Sequence, residues 1–219
     1  VYHHGKLHIG EQNGLMEDID RLLKTQRSTL NKLSMKYMTV KLYLDRDAVM
    51  GEVETIIQAL RQNGFLKVAY MVRPAEEELS PLMAHTYART LKLPPPDALL
   101  LSGKEVRDEG IDVFEIDAGD TGIEPNAIRS KLRNFMLGSD QYIMTLLYRG
   151  NTNYARVLAY YDVLFTITDE LREEYALKTF GAPYAELSGD QLAAVRKRYP
   201  MAVVLKNPEK DPDDFGVKN

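Results

Sequence analysis

The sequence predicts an α+β protein of two tandem units, each with two helices packed on one face of a small mixed β-sheet, plus a long C-terminal helical extension. Three observations predict it. Short runs with alternating apolar residues are interleaved with longer runs whose apolar residues recur at spacings of three and four. That succession occurs twice along the chain. The last helix of the second occurrence, beginning near Asn153, runs on to about 27 residues in all, roughly 40 Å at 1.5 Å per residue.

In the first occurrence, Lys6 to Ile9 reads as a strand and Gly10 to Gly14 as a turn. A helix follows with Leu15, Ile19, Leu22, Leu23, Leu30 and Leu33 on one face. Thr39 to Leu44 is a half-buried strand, because Val40, Leu42 and Leu44 alternate. The next helix carries Val49, Val53, Ile56, Ile57 and Leu60, and Gly64 stands where a left-handed cap would end it. Lys67 to Val72 is the closing strand.

The second occurrence opens with the strand Asp112 to Asp117, in which Val113 and Asp117 face one way and Phe114 and Ile116 the other. Ala118 to Gly122 is its turn. Pro125 suits a helix start, and Ile128, Leu132, Phe135 and Met136 form the stripe behind it, ended by Gly138. Tyr142 to Arg149 is a strand, and Asn151 to Asn153 cap a helix with Val157, Leu158, Tyr161, Leu164 and Phe165 inward. Leu42 and Val53 correspond to Leu146 and Val157, 104 positions on, whereas Ile9 and Ile116 differ by 107. A closing strand is clear only in the first copy. Crossovers between parallel strands put their helices on a sheet face, nearly always right-handed, so two helices should cover one face of each sheet. The other face would be exposed or used, since the strands alternate where doubly buried ones are continuously apolar.

Between the copies, Glu76 to Leu93 has a helical pattern with Leu79, Leu82, Met83 and Tyr87 on one side, stopped by Pro94, Pro95 and Pro96. The expected organisation is a first unit at 1–73, a helical and proline-rich spacer at 74–110, a second unit with its extension at 111–206, and a flexible tail at 207–219. On the long helix, Val157, Tyr161, Leu164, Thr168, Leu171 and Tyr175 recur at alternating fours and threes, the spacing of a coiled-coil seam. Two readings stand: packing on a tail helix at Leu187 to Tyr199, or a dimer seam, with Tyr161, Leu164, Leu171 and Tyr175 as the candidate interface residues.

Composition narrows the function classes. Lys and Arg number 28 against 32 Asp and Glu in 219 residues, so nothing suggests a nucleic-acid backbone binder. The chain has no cysteine, which excludes disulfides, Cys-type zinc sites and thiol catalysis. It contains no apolar run long enough to span a bilayer and starts at Val1, so it is expected to be a soluble piece of a longer protein whose anchor or targeting segment lies upstream. His3 and His4 read as loop residues or a tag remnant.

The common catalytic motifs are missing. Asp45 and Asp47 stand at the end of a strand, where an aspartyl-nucleophile phosphatase places one carboxylate to attack phosphorus and another to handle the leaving-group proton, with Mg²⁺. The second copy has Arg149 and Asn151 there, and a solvated strand-to-helix turn accounts for the pair. Asp117-Ala118-Gly119-Asp120-Thr121-Gly122 lacks the alternating ligands and terminal Glu of a calcium loop and reads as a β-turn. His85 is the one mid-chain histidine and reads as a spacer residue. The expectation is a non-enzyme with no catalytic residue, cofactor or metal. The alternatives are a small Mg-dependent hydrolase using Asp45 and Asp47, and an adaptor that dimerises through the long helix.

Residues Asp112 to Glu209 resemble the ExbD/TolR biopolymer-transport family in its elongated Bacteroidetes-type form. The likeness rests on the lead Leu93-Pro94-Pro95-Pro96, on Arg149-Gly150-Asn151-Thr152-Asn153-Tyr154 opening a helix, and on Asp169-Glu170-Leu171-Arg172-Glu173-Glu174 within it. Lys178-Thr179-Phe180-Gly181, Leu187-Ser188 and Arg196-Lys197-Arg198-Tyr199-Pro200-Met201 complete it. Residues 1–73 resemble a more compact unit of the same kind, with Leu42-Tyr43-Leu44-Asp45-Arg46-Asp47 and Gly64-Phe65-Leu66-Lys67-Val68 as landmarks. The resemblance covers about three-quarters of the chain, and the order of the motifs carries it.

The resemblance implies the periplasmic domain of an inner-membrane protein, in a complex that uses the proton gradient to drive transport. Its implied partners are an ExbB/TolQ-like channel subunit and a TonB/TolA-like protein, with peptidoglycan as a further candidate. It also implies a homodimer, no nucleic acid, and membrane attachment only through an N-terminal anchor outside this sequence. The family's proton-linked aspartate lies in that anchor, and no position here matches it.

Overall fold

The computed structural model describes residues 2–3, 6–9, 12–31, 38–45, 47–72, 89–92 and 103–210. It is of mixed α/β class and forms two compact units, one of Val1–Leu99 with Gly150–Ala155, the other of Leu100–Arg149 with Arg156–Asn219.

The first unit holds a mixed six-stranded sheet in the order β3-β2-β1-β4-β5-β6. Its strands are β1 (Tyr2–His3), β2 (Lys6–Ile9), β3 (Gln12–Leu15), β4 (Val40–Leu44), β5 (Lys67–Val72) and β6 (Arg89–Lys92). β4 and β5 run parallel, and β6 returns antiparallel beside β5. Helix α1 spans Ile19–Ser28 and α2 spans Met50–Gln62.

The sequence expectation needs correcting at two places here. The turn expected through Gly14 is shorter, because Gln12–Leu15 pairs with β2, Ile9 against Gln12 and Lys6 against Leu15. α1 therefore starts at Ile19 after a 3₁₀ turn at Met16–Asp18, where an Asp18 carboxylate oxygen accepts the Leu15 N–H at 3.1 Å. Leu15, expected inward, is 50% exposed, while Ile19, Leu22 and Leu23 are buried. Leu30 lies beyond α1, and Leu33 falls outside the described residues. In the expected spacer, Arg89–Lys92 is a strand and not the end of a helix. There the main-chain groups of β5 supply pairing that helical periodicity does not reveal. Residues 73–88, with His85, and the proline run at 94–96 fall outside the described residues.

α2 buries Met50, Val53, Ile56, Ala59 and Leu60. It ends as the sequence predicts: Gly64 takes φ 82°, the Phe65 N–H donates to Leu60 O and the Gly64 N–H to Arg61 O. Those two bonds satisfy carbonyls that the helix end would leave unpaired. Buried Asn63 ties this end to α1, donating to Asp20 Oδ1 at 3.1 Å and to Ala59 O.

The second unit holds β7 (Asp112–Asp117), β8 (Tyr142–Leu147) and β9 (Val203–Lys206), all parallel and in the order β7-β8-β9. Its helices are α3 (Gly103–Asp108), α4 (Arg129–Gly138), α5 (Tyr154–Phe180) and α6 (Gly189–Arg198). The sheet is not mixed. The strand that closes it was missed in the sequence because it lies beyond α6, where Met144 pairs with Val203 and Leu147 with Lys206.

Phe114 and Tyr142 meet Phe135 of α4 at ring distances of 5.1 and 6.0 Å, which fixes the helix-covered face. Ile116, Met144 and Leu146 share that face and are buried with Leu132, Met136, Leu164 and Leu171. Val113, Ile143, Leu147 and Val204 alternate with them and are partly exposed. α5 has 27 residues, as the periodicity predicts. Gly181 ends it at φ 69°, and α6 folds back to bury Val195 with Ala176 and Leu187. The expected tail opens on a turn: Asn207 is 3% exposed and its carbonyl accepts the Lys210 N–H. Residues 211–219 lie outside the described residues.

Candidate functional site

In parallel α/β sheets, ligands generally sit at the carboxyl ends of the strands. At that end of β7 the side chains are engaged in holding the loop. Asp117 Oδ1 accepts the Gly119 N–H and Asp120 Oδ1 the Gly122 N–H, both at 2.8 Å. These are the side-chain turns of a structural loop. Asp117 also pairs with Arg149, whose Nη1 lies 3.2 Å from Oδ2.

From α5, Arg156 donates to the carbonyls of Ala118, Asp120 and Ile123. One turn on, the Tyr160 hydroxyl donates to Ile123 O at 2.7 Å. Burial pushes the Tyr160 phenol above its ordinary value, against the pull of Arg156. A fixed cation on three carbonyls rigidifies a loop and supplies no nucleophile or base.

Asp45 and Asp47 stand in the turn before α2. Asp45 is half-buried and its carbonyl accepts the Ala48 N–H at 3.1 Å, while Asp47 is exposed. Among the described residues no group of three His, Cys, Asp or Glu converges as metal ligands would.

Of the candidate interface residues, Tyr161 is 4% exposed, Leu164 0% and Leu171 1%. Tyr175 is half-buried, edge-on to Phe180 and Tyr199. Thr168 donates its hydroxyl to Leu164 O and touches Met201 Sδ, and Arg172 donates to Tyr199 O. The stretch from Thr168 to Tyr175 therefore packs on the chain's own tail. A dimer seam built on these residues would have to open this core first.

β7 and β9 are the edge strands of this sheet, and β7 is the longer of the two. The Asp112 N–H donates to Gln141 O and the Ala118 N–H to Leu147 O, so the even positions turn toward β8. Val113, Glu115 and Asp117 turn outward and pair with no strand among the described residues. Asp112 and Glu115 are exposed. A charged edge of this kind resists self-association and still offers alternate N–H and C=O groups to an extended segment. An edge is legible in an alternating strand, but which strand is outermost is decided by pairing. Among the described residues no helix is long and apolar enough to cross a membrane. Comparison with protein-family models, with curated proteins and with solved structures finds no match to this chain.

Proposed function

We propose that the chain is a non-enzymatic, partner-binding periplasmic module of the ExbD/TolR kind, built from two tandem units and belonging to an inner-membrane complex driven by the proton-motive force. Its partners would be an ExbB/TolQ-like channel subunit and a TonB/TolA-like protein. The observation that carries this reading is the outer edge of β7, where Val113 and Glu115 turn their main-chain groups outward. The order of motifs in the sequence supplies the family.

Strand addition makes a sharp test. Proline at an outward position removes one edge N–H and leaves the ladder to β8 intact. Glu115→Pro should melt within a few degrees of the parent and lose capture of an extended partner segment. A photo-crosslinking residue at Val113 should, in cells, label a TonB-like or ExbB-like neighbour. If no such neighbour is labelled and Glu115→Pro changes nothing, the reading is wrong.

A further inference from the structure

The first unit includes Gly150–Ala155, and the contact that holds this segment has an unusual internal relation. Met50 donates its N–H to Thr152 O at 2.9 Å, Tyr154 donates its N–H to Ala48 O at 2.8 Å, and Val49 and Asn153 form an antiparallel bridge between them. At the 104-residue offset of the sequence repeat, Met50 corresponds to Tyr154, Val49 to Asn153 and Ala48 to Thr152. The second hydrogen bond is therefore the first with each residue replaced by its counterpart. Helices α2 and α5 begin at Met50 and Tyr154, at the same offset.

Any antiparallel bridge exchanges its hydrogen bonds in this reciprocal way, so what is specific here is the register: the two bridged positions, Val49 and Asn153, stand at the repeat offset, as the two halves of an isologous contact would. Here the bridge joins a position to its own counterpart, which places the local axis through it. The bonds also have a chemical purpose. The first N–H groups of a helix have no intrahelical partner, and each of these two helices has its first one satisfied by a carbonyl of the other repeat's turn.

We infer that residues 48–50 and 152–154 are the two halves of a self-recognising, two-fold contact, made in cis within one chain where a single-copy protein would need a second subunit. The inference rests on the tandem reading given above. The Gly51 N–H donates to Gly150 O at 2.9 Å, and a Cβ on Gly51 would lie 3.2 Å from that oxygen. Its counterpart is Ala155, so the two halves have diverged.

The absence of native cysteine makes the test clean. Facing residues flanked by hydrogen bonds in this pattern have Cα atoms about 4.5 Å apart, within disulfide range. The full chain carrying Val49→Cys and Asn153→Cys should, on oxidation, give an internal disulfide at single-chain mass, and Val49→Cys alone should stay monomeric. Interchain dimers from either variant, or no disulfide in a double variant that melts like the parent when reduced, would overturn the inference. The unaltered chain gives an independent reading: the Met50 and Tyr154 amides should both be slow in hydrogen exchange, and fast exchange of either also overturns it. Partner capture at the β7 edge is scored separately, so failure of one reading is not mistaken for failure of the other.

Discussion

Arg133 reaches Glu174 across two helices, its Nη2 2.9 Å from Oε1 and 2.6 Å from Oε2, and Arg129 stands in the same relation to Glu170 one turn earlier. Both pairs keep the same spacing in sequence, so α4 and α5 run in the same direction side by side. That is what two right-handed crossovers in the order β7-β8-β9 require of helices on one sheet face. The Arg133 guanidinium is held above its ordinary value chiefly by its hydrogen bonds to Glu174.

Both pairs are partly exposed, so each should be worth only about 0.2–1 kcal/mol. Arg133→Ala is expected to lower stability within that range, and Arg133→Glu by more, because three carboxylates then crowd together. The exchange Arg133→Glu with Glu174→Arg should recover most of the loss in urea unfolding. No recovery would mean that the side-by-side arrangement is wrong.

Arg156 should matter more than either ion pair. Arg156→Ala leaves the carbonyls of Ala118, Asp120 and Ile123 without their donor, at a cost of about 1–3 kcal/mol. Lysine cannot span three acceptors and should recover little. Hydrogen exchange should speed up in residues 118–123 and not in β8. An unchanged loop would show that the fork does not hold it.

Tyr142 sets an alkaline limit. Its hydroxyl donates to Pro200 O at 3.1 Å, and burial pushes the phenol up, against the opposing pull of Arg172 and Arg198. A raised folded value stabilises the protein fully below the unfolded value of about 10 and loses that stabilisation as pH rises beyond it toward the folded value. Stability should therefore fall steeply above about pH 10. Tyr142→Phe should cost about 0.5–1.5 kcal/mol at neutral pH and flatten the alkaline fall. A fall of equal steepness in the variant would assign it to another group.

The long helix offers an internal contrast. Leu171 is 1% exposed and Leu177 is 50% exposed. Leu171→Ala should cost about 2–5 kcal/mol. Leu177→Ala should stay within about 0.5 kcal/mol. A seam between chains would instead make the cost of Leu171→Ala depend on protein concentration, which thermal melts over a hundredfold range would detect.

The sequence by itself determined the elements whose signals are local. The 3.6-residue stripes placed α2, α4 and the full run of α5, alternation placed β4 and β7, β5 and β8 read as strands of their own between the helical stripes, and Gly64 marked its cap because a left-handed turn suits a residue without Cβ. Asp117 and Asp120 announced a turn for the same reason, since their side chains bond the backbone two residues on. Tertiary structure decided the rest. Arg89–Lys92 and Val203–Lys206 are strands because neighbouring strands supply their hydrogen bonds, and periodicity is silent about partners far along the chain. The stripe from Tyr161 to Tyr175 has the spacing of a seam whether its partner is another chain or its own tail, and only the contacts of Arg172 and Tyr175 with Tyr199 show that its C-terminal part meets the tail. The β7 edge and the pairing of Val49 with Asn153 depend on which segments meet in space, so no local pattern could have placed them.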